Sequence, residues 1–513
     1  MEKPRVNTLE PAPPVAGKPP GAAAGKIEHG TPTFWRTNFA LFAAGFATFA
    51  LLYCVQPLMP LFSTDFGVSA AGASLALSLT TGLLAVSMLV AGALSEAWGR
   101  KPIMTASLLL SAVLALICAL VPHWPTLLLM RALTGVALSG LPAVAMAYVG
   151  EEMHPRSLGP AMGLYVGGTA LGGMAGRLLT GVITDFWGWR VAVMAIGALG
   201  MSCAAVLWRY LPASRHFAPH ELRLAPLSRA FGTHLRDAVL PWLFVESFLL
   251  MGSFVTVYNY VGYRLSAPPF SLSQTEIGLI FTVYLCGIAS STAAGSLSGR
   301  FGRAAVLPAT FMLMLAGTLM TLSNHLWLIV LGVAVLTMGF FGTHAVASAW
   351  VGVRAQVNKA QASSLYLFAY YLGSSVVGSV GGVFWSRYGW HGVVSLTGTL
   401  LLAAIAVSLW LARRPARGNA YALGAIFLLL GSLTYPGVSS AAGEADVSVT
   451  LAIEPSCLIR SATRDSPTAP PQVECLHDEP YVVSRPLREP ARTSSLTPHE
   501  MSLVQPGVWM VEF

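Results

Sequence analysis

Apolar residues along this chain come in long blocks instead of alternating with polar ones, and each block is long enough to form a helix that crosses a bilayer. A helix rises about 1.5 Å per residue and the hydrocarbon core is about 30 Å thick, so roughly 20 mainly apolar residues make one crossing. Twelve blocks meet that length before residue 413: 37–62, 71–94, 102–122, 124–149, 158–183, 188–211, 239–262, 277–297, 304–323, 326–352, 364–386 and 390–412. The pattern predicts an all-α membrane protein of twelve transmembrane helices.

The polar stretches divide the chain. Residues 1–34 are rich in Pro, Ala, Gly and Lys with no apolar run, and read as a disordered cytoplasmic arm instead of a signal peptide. Residues 212–238, the longest hydrophilic stretch between blocks, carry Arg215, Arg223, Arg229 and Arg236 and form a cytoplasmic linker between six helices in 35–211 and six in 239–412. Farther on, Arg413 to Arg417 is basic, Tyr421 to Tyr435 is a short apolar run and Ser439 to Gly443 is built of small residues. These are the features of a secretory signal, displaced far along the chain, so 413–443 reads as a signal-like or thirteenth short segment. Residues 444–513 are then a polar tail, read either as a small exported β-type module outside the membrane, in which Asp446 to Ile453 alternates like a strand and Cys457 and Cys475 are a candidate disulfide, or as a disordered cytoplasmic tail.

Composition narrows the class. With 55% hydrophobic residues, 10% charged residues and a mean hydropathy of +0.65, the chain is not a set of soluble domains. A net charge of +8 raises nucleic acid as a partner, but the placement of the charges argues otherwise. With a cytoplasmic N-terminus, twenty of the twenty-five Lys and Arg up to Arg417 fall on the cytoplasmic side, leaving Arg190, Arg264 and Arg387 in outer loops and Arg131 and Arg177 inside the membrane. That asymmetry is the positive-inside rule of a bacterial inner-membrane protein, and no nucleic-acid partner is expected. Cys54, Cys118, Cys203 and Cys286 lie in predicted spans without metal-ligand spacing, so no metal site or cofactor is expected.

The two halves repeat. Residues 140–150, GLPAVAMAYVG, return as GTHAVASAWVG at 342–352, an offset of 202. Leu171-Gly172, Gly181 and Gly188-Trp189 return at an offset of 201 as Leu372-Gly373, Gly382 and Gly389-Trp390. Between blocks 2 and 3, Gly92-Ala-Leu-Ser-Glu96-Ala-Trp-Gly99-Arg100-Lys101 is answered by Gly295-Ser-Leu-Ser-Gly299-Arg300-Phe-Gly302-Arg303. Parallel repeats with a site between them fit two-bundle transporters. The loop and its copy resemble the G-x-L-x-D-R-x-G-R-[KR] pattern of the major facilitator superfamily. Finer details over about residues 35–414 resemble its YnfM-type branch of inner-membrane efflux permeases: Tyr53-Cys-Val-Gln56-Pro57, Leu171-Gly-Gly-Met-Ala-Gly-Arg177, Tyr258-Asn-Tyr260-Val-Gly-Tyr263-Arg264 and Gln361-Ala-Ser-Ser-Leu-Tyr366. The resemblance implies two pseudo-symmetric six-helix bundles and a cytoplasmic gate at Gly92, Glu96, Gly99, Arg100, Lys101, Gly295, Arg300, Gly302 and Arg303, with Glu96, Ala97 and Gly299 departing from the pattern.

Four ionisable side chains lie deep in the blocks: Arg131, Arg177, Glu246 and His344. Charge at that depth costs at least about 2.5–3.5 kcal/mol, so such residues face a cavity or a partner. Arg131-Ala-Leu-Thr-Gly135 resembles the family's span-4 motif, which implies a part in proton coupling. Glu246, the only carboxylate well inside a block, is the expected proton carrier, with a solvated interfacial carboxylate as the alternative; His344, replacing Pro142 of the first half, is a proton relay or a hydrogen-bonded core histidine. Arg177 follows a glycine ladder from Gly163 to Gly176 whose spacing lets helices approach closely. Together with Tyr53, Gln56, Tyr258, Asn259, Tyr260, Tyr366 and Tyr370, and the neighbouring Tyr371, it is expected to line the substrate cavity.

These features point to a secondary active transporter, a proton-coupled exporter of a small molecule by alternating access, embedded in lipid and working as a monomer. An importer or uniporter of a small, anionic solute is the rival within transport, and a non-transporting substrate sensor the rival outside it. No HExxH, GxSxG or CxxC constellation suggests an enzyme.

Overall fold

The computed structural model describes residues 25–216 and 224–413, with four short strands in the tail at 457–460, 472–475, 482–484 and 510–512. The helices run α1 (Pro32–Tyr53), α2 (Met59–Phe66), α3 (Ala70–Trp98), α4 (Arg100–Leu120), α5 (Trp124–Leu138), α6 (Pro142–Glu152), α7 (Leu158–Tyr210), α8 (Leu224–Leu235), α9 (Leu240–Ser266), α10 (Gln274–Ile280), α11 (Tyr284–Phe301), α12 (Arg303–Met320), α13 (Leu326–Arg354) and α14 (Lys359–Arg413). Nine helical segments among the described residues are long and apolar enough to cross a membrane, and two of them, 155–210 and 359–413, are double length. Each double segment is interrupted once, at Gly188 (φ +81°) and at Gly389 (φ +59°). Only glycine takes this left-handed backbone without steric cost, so the repeated glycine reverses the chain at the same place in each half. With α1 added, the segments give the twelve crossings of two six-helix bundles.

Local sequence explains the ends. Thr31 accepts from the Phe34 amide at the start of α1, Ser69 from Gly72 at α3, and Ser273 and Glu276 form a capping box at α10. Two spans expected to be continuous are broken in the first half alone. Although α12 runs on through Pro308, proline removes an intrahelical hydrogen bond and its ring crowds the carbonyl four residues earlier, which kinks a helix or ends it. Pro57 accordingly ends α1 at Tyr53 and Pro142 ends α5 at Leu138. The positions 202 residues later hold Asn259 and His344, and there α9 and α13 run through unbroken.

Small residues hold the bundles together. A side chain at Gly172 would strike the Phe46 carbonyl of α1, and one at Gly373 would strike the Phe248 carbonyl of α9, the same contact in each half. Gly168 and Gly176 repeat it one turn either way, on Phe42 and Ala50.

The expected thirteenth segment lies outside the described residues apart from Arg413, as does the strand expected at 446–453. In the tail, β1 (Cys457–Arg460) pairs antiparallel with β2 (Gln472–Cys475) and β3 (Val482–Ser484) with β4 (Met510–Glu512). The first register makes Cys457 and Cys475 direct partners along the backbone.

Candidate functional site at the seam between the bundles

One end of the helical body carries the turns at Gly99 and Gly302 and the linker, and is called the linker end here; the other is the far end. Among the described residues, the hydrogen bonds between the two bundles lie from the middle of the body to the far end. Gln56 donates to the Asn259 side-chain oxygen at 2.6 Å, Ser375 to the Ser78 carbonyl at 2.7 Å, and Tyr263 to the Met59 carbonyl at 2.8 Å while its oxygen lies 2.7 Å from Ser63 Oγ. At the far end Asp185 accepts from the backbone amides of Gln274 and Thr275, the first turn of α10.

Arg177 stands in the middle of this seam, 1% exposed. Its Nε donates to Gln56 Oε1 at 2.6 Å and its Nη1 to the Gly173 carbonyl at 2.7 Å. The guanidinium carbon lies 4.2 Å from the Tyr53 ring centre in the first bundle, and 5.0 and 5.1 Å from those of Phe281 and Tyr284 in the second. Such ring faces attract a cation, and here they come from both halves. No carboxylate among the described residues pairs with it.

Arg131 is equally buried but lies elsewhere. Its three nitrogens donate to the carbonyls of Ala76 (2.9 Å), Leu51 (3.0 Å) and Leu52 (2.7 Å). The last two carbonyls belong to the final turn of α1, where the chain leaves the helix ahead of Pro57 and the carbonyls lose their intrahelical donors. Arg131 caps a helix end that proline exposes. At the equivalent place of the second half α9 is unbroken, and Val333 stands where Arg131 would be.

Glu246 is 0% exposed, between α9 and the last turns of α14. Ser408 donates to its Oε1 at 2.8 Å, and its Oε2 has no hydrogen-bond partner. It lies within electrostatic reach of Tyr366, whose hydroxyl is 3.0 Å from His344 Nδ1. His344 packs against Tyr370, ring centres 5.0 Å apart, and Tyr370 lies edge-on to Tyr371. Tyr258 is hydrogen-bonded to Thr337 at 2.6 Å, and Tyr260 donates to the Gly378 carbonyl within its own bundle.

The expected residues thus fall into three places: Arg177, Gln56, Asn259 and Tyr53 meet at the seam, which Tyr260 also reaches through Ser74 of α3; Tyr366, His344 and Tyr370 run from it towards Glu246; Arg131 and Tyr258 hold single bundles together. Sequence reasoning missed Phe281, Tyr284 and Ser408. The first two carried a signal, two aromatic residues three apart on one helix face, whereas a serine in an apolar helix carried none.

At the linker end Arg100 meets Glu151 of its own bundle at 2.6 Å and Ser95 at 2.5 Å, and Lys101 donates to the Leu211 carbonyl at 2.5 Å. In the copy, Arg300 lies over the Phe301 ring and the buried Nε of Arg303 has no hydrogen-bond partner among the described residues. Arg100 and Lys101 thus brace the first bundle, whereas among the described residues no ion pair of Arg300 or Arg303 does the same in the second. Outside the apolar body, Asp237 meets Arg354 at 3.0 Å. Partial burial raises its pKa, but hydrogen bonds from Arg354 and the Leu240 and Val239 amides more than offset this, leaving it below the usual value.

Two bundles of six helices, related by repeat and meeting at a polar seam at membrane depth, define a secondary transporter fold. The chain belongs to the Major Facilitator Superfamily, which it matches over residues 41–270 and 265–425. It is 50% identical to the uncharacterised MFS-type transporter YybF of Bacillus subtilis over 387 residues, covering 75% of this chain and 96% of that one. It is also 50% identical to the inner membrane transport protein YnfM of Escherichia coli over 388 residues, covering 76% and 93%. Among solved structures, a bacterial homologue of the human lysosomal transporter Spinster, inward-facing and unoccupied, superposes with a TM-score of 0.58 at 16% identity, covering 74% of this chain and 96% of that chain.

Proposed function

We propose that this transporter is a proton-coupled exporter of a small molecule, working by alternating access in a bacterial inner membrane with its N-terminus in the cytoplasm. The observation that carries the reading is Glu246: a carboxyl group at membrane depth, fully buried, with one hydroxyl partner and no cation among the described residues. Burying a charged carboxylate unpaired is costly, so such a group is suited to taking up a proton when its surroundings close and releasing it when water reaches it. Tyr366 and His344 continue from Glu246 towards the seam and offer a path along which proton and substrate occupancy affect one another. Arg131 serves by fixing the frame of the first bundle.

The distribution of Lys and Arg supports the orientation. In that orientation the seam is held shut on the periplasmic side by Gln56–Asn259, Ser63–Tyr263 and Asp185 on α10. Export then requires these contacts to part while the linker ends draw together.

Inverted membrane vesicles loaded with a pH-sensitive dye test the reading with a compound panel. Compounds that are substrates release protons from wild-type vesicles, and Glu246→Gln, folded and inserted to the same level, abolishes the signal. A full signal in Glu246→Gln contradicts the assignment, and no signal from wild type with any compound contradicts proton-coupled export.

A further inference from the structure

Arg177 fixes the direction of every hydrogen bond that follows it. A guanidinium only donates, so the Gln56 atom 2.6 Å from its Nε is the amide oxygen. The Gln56 nitrogen therefore turns to the other bundle and donates to Asn259 Oδ1. That leaves Asn259 Nδ2 as a donor without a hydrogen-bond partner among the described residues, on a side chain 1% exposed that packs against Gly378. The Tyr53 hydroxyl, whose ring covers Arg177, is likewise buried and unpartnered.

What remains at the seam is one positive charge, with no carboxylate among the described residues to pair with it, and the unpartnered Tyr53 hydroxyl and Asn259 amide nitrogen beside it. A buried polar group left unpaired costs about 1–3 kcal/mol, so a site holding several implies something that pairs with them. The complement of a cationic, aromatic-walled site is an anion on an apolar body.

Resting on the transporter reading, we propose that the seam at Arg177 selects an organic anion, a carboxylate or similar oxyanion attached to an aromatic or apolar body. The oxyanion is held by Arg177 and the Asn259 amide, and the body lies against Tyr53, Phe281 and Tyr284. The same chemistry suits export, because an inside-negative membrane potential drives anions outward.

The full chain, purified in detergent, is titrated with benzoate and phenylacetate, their neutral amides benzamide and phenylacetamide, and inorganic phosphate, following the melting temperature and tryptophan fluorescence. At least one carboxylate is expected to bind about tenfold or more tightly than its amide and than phosphate, the margin of a charge-assisted hydrogen bond. Arg177→Gln is expected to remove that margin. Asn259→Asp replaces the Nδ2 donor with a carboxylate oxygen that repels an anion, so it is expected to abolish anion binding in a protein that still folds. Equal binding of acid and amide, preference for phosphate, absence of binding by either carboxylate, or anion binding unchanged in a folded Asn259→Asp protein each overturns the proposal. Proton release triggered only by neutral or cationic compounds sinks this inference and leaves the transporter reading standing; no proton release by any compound sinks the transporter reading itself.

Discussion

Arg131 and Pro57 act as a unit. Proline removes donors from the last turn of α1, and the guanidinium supplies replacements to Leu51 and Leu52. Arg131→Ala removes three buried hydrogen bonds, of which the one to the Leu52 carbonyl has no replacement among the described side chains, and is expected to cost roughly 2–5 kcal/mol, seen as a lower melting temperature and a smaller monodisperse fraction. Pro57→Ala lets the helix re-form part of its own ladder, so the double variant should be less damaged than the sum, with a coupling of about 0.5–3 kcal/mol. Strict additivity would mean that Arg131 serves something other than the broken helix. Glu246 differs in kind: on the proposed reading it carries a proton, so its loss is expected to show in transport before it shows in folding.

At the scale of helices, two contacts carry predictions. Gly172 and Gly373 bring α7 onto α1 and α14 onto α9 with no room for a Cβ. Valine at either forces the pair apart, at a cost of about 1–3 kcal/mol or more, and both sites should respond alike when melting is followed in detergent. Asp237 joins the start of α9 to the end of α13 through Arg354. Its carboxyl is held below the ordinary aspartate value of about 4. The stability this contributes is present above that value and is lost as pH falls through the lower folded-state one. The melting-temperature gap between wild type and Asp237→Asn should be full at pH 6 and close as pH drops below 4; a gap that widens there contradicts the sign. Much of this was legible beforehand. The apolar blocks gave the crossings, and the repeat gave the pairing of Gly172 with Gly373. The breaks at Pro57 and Pro142 were hidden because an apolar block reads the same whether or not its helix is interrupted. The pairing of Arg177 with Phe281 and Tyr284, and of Glu246 with Ser408, joins residues more than a hundred positions apart, and no local pattern encodes which helices meet.

The helical body is two bundles with one polar seam, closed among the described residues from its middle to its far end. Its asymmetry is concentrated where one repeat holds proline and the other Asn259 or His344, so a shared scaffold acquires chemistry at the positions where the copies differ. Transport by rocking requires the seam to open, and the contact between Gly82 of α3 and Ser375 of α14 offers a way to stop it. A Cβ built on Gly82 lies 3.4 Å from that of Ser375, close to the 3.5–4.5 Å spacing of a disulfide. The most direct test is compound-triggered proton release from inverted vesicles carrying Gly82→Cys and Ser375→Cys in a background without other cysteines. Oxidation should cross-link the bundles and abolish release, and reduction should restore it; undiminished release with the disulfide fully formed would contradict an exporter that works by opening this seam.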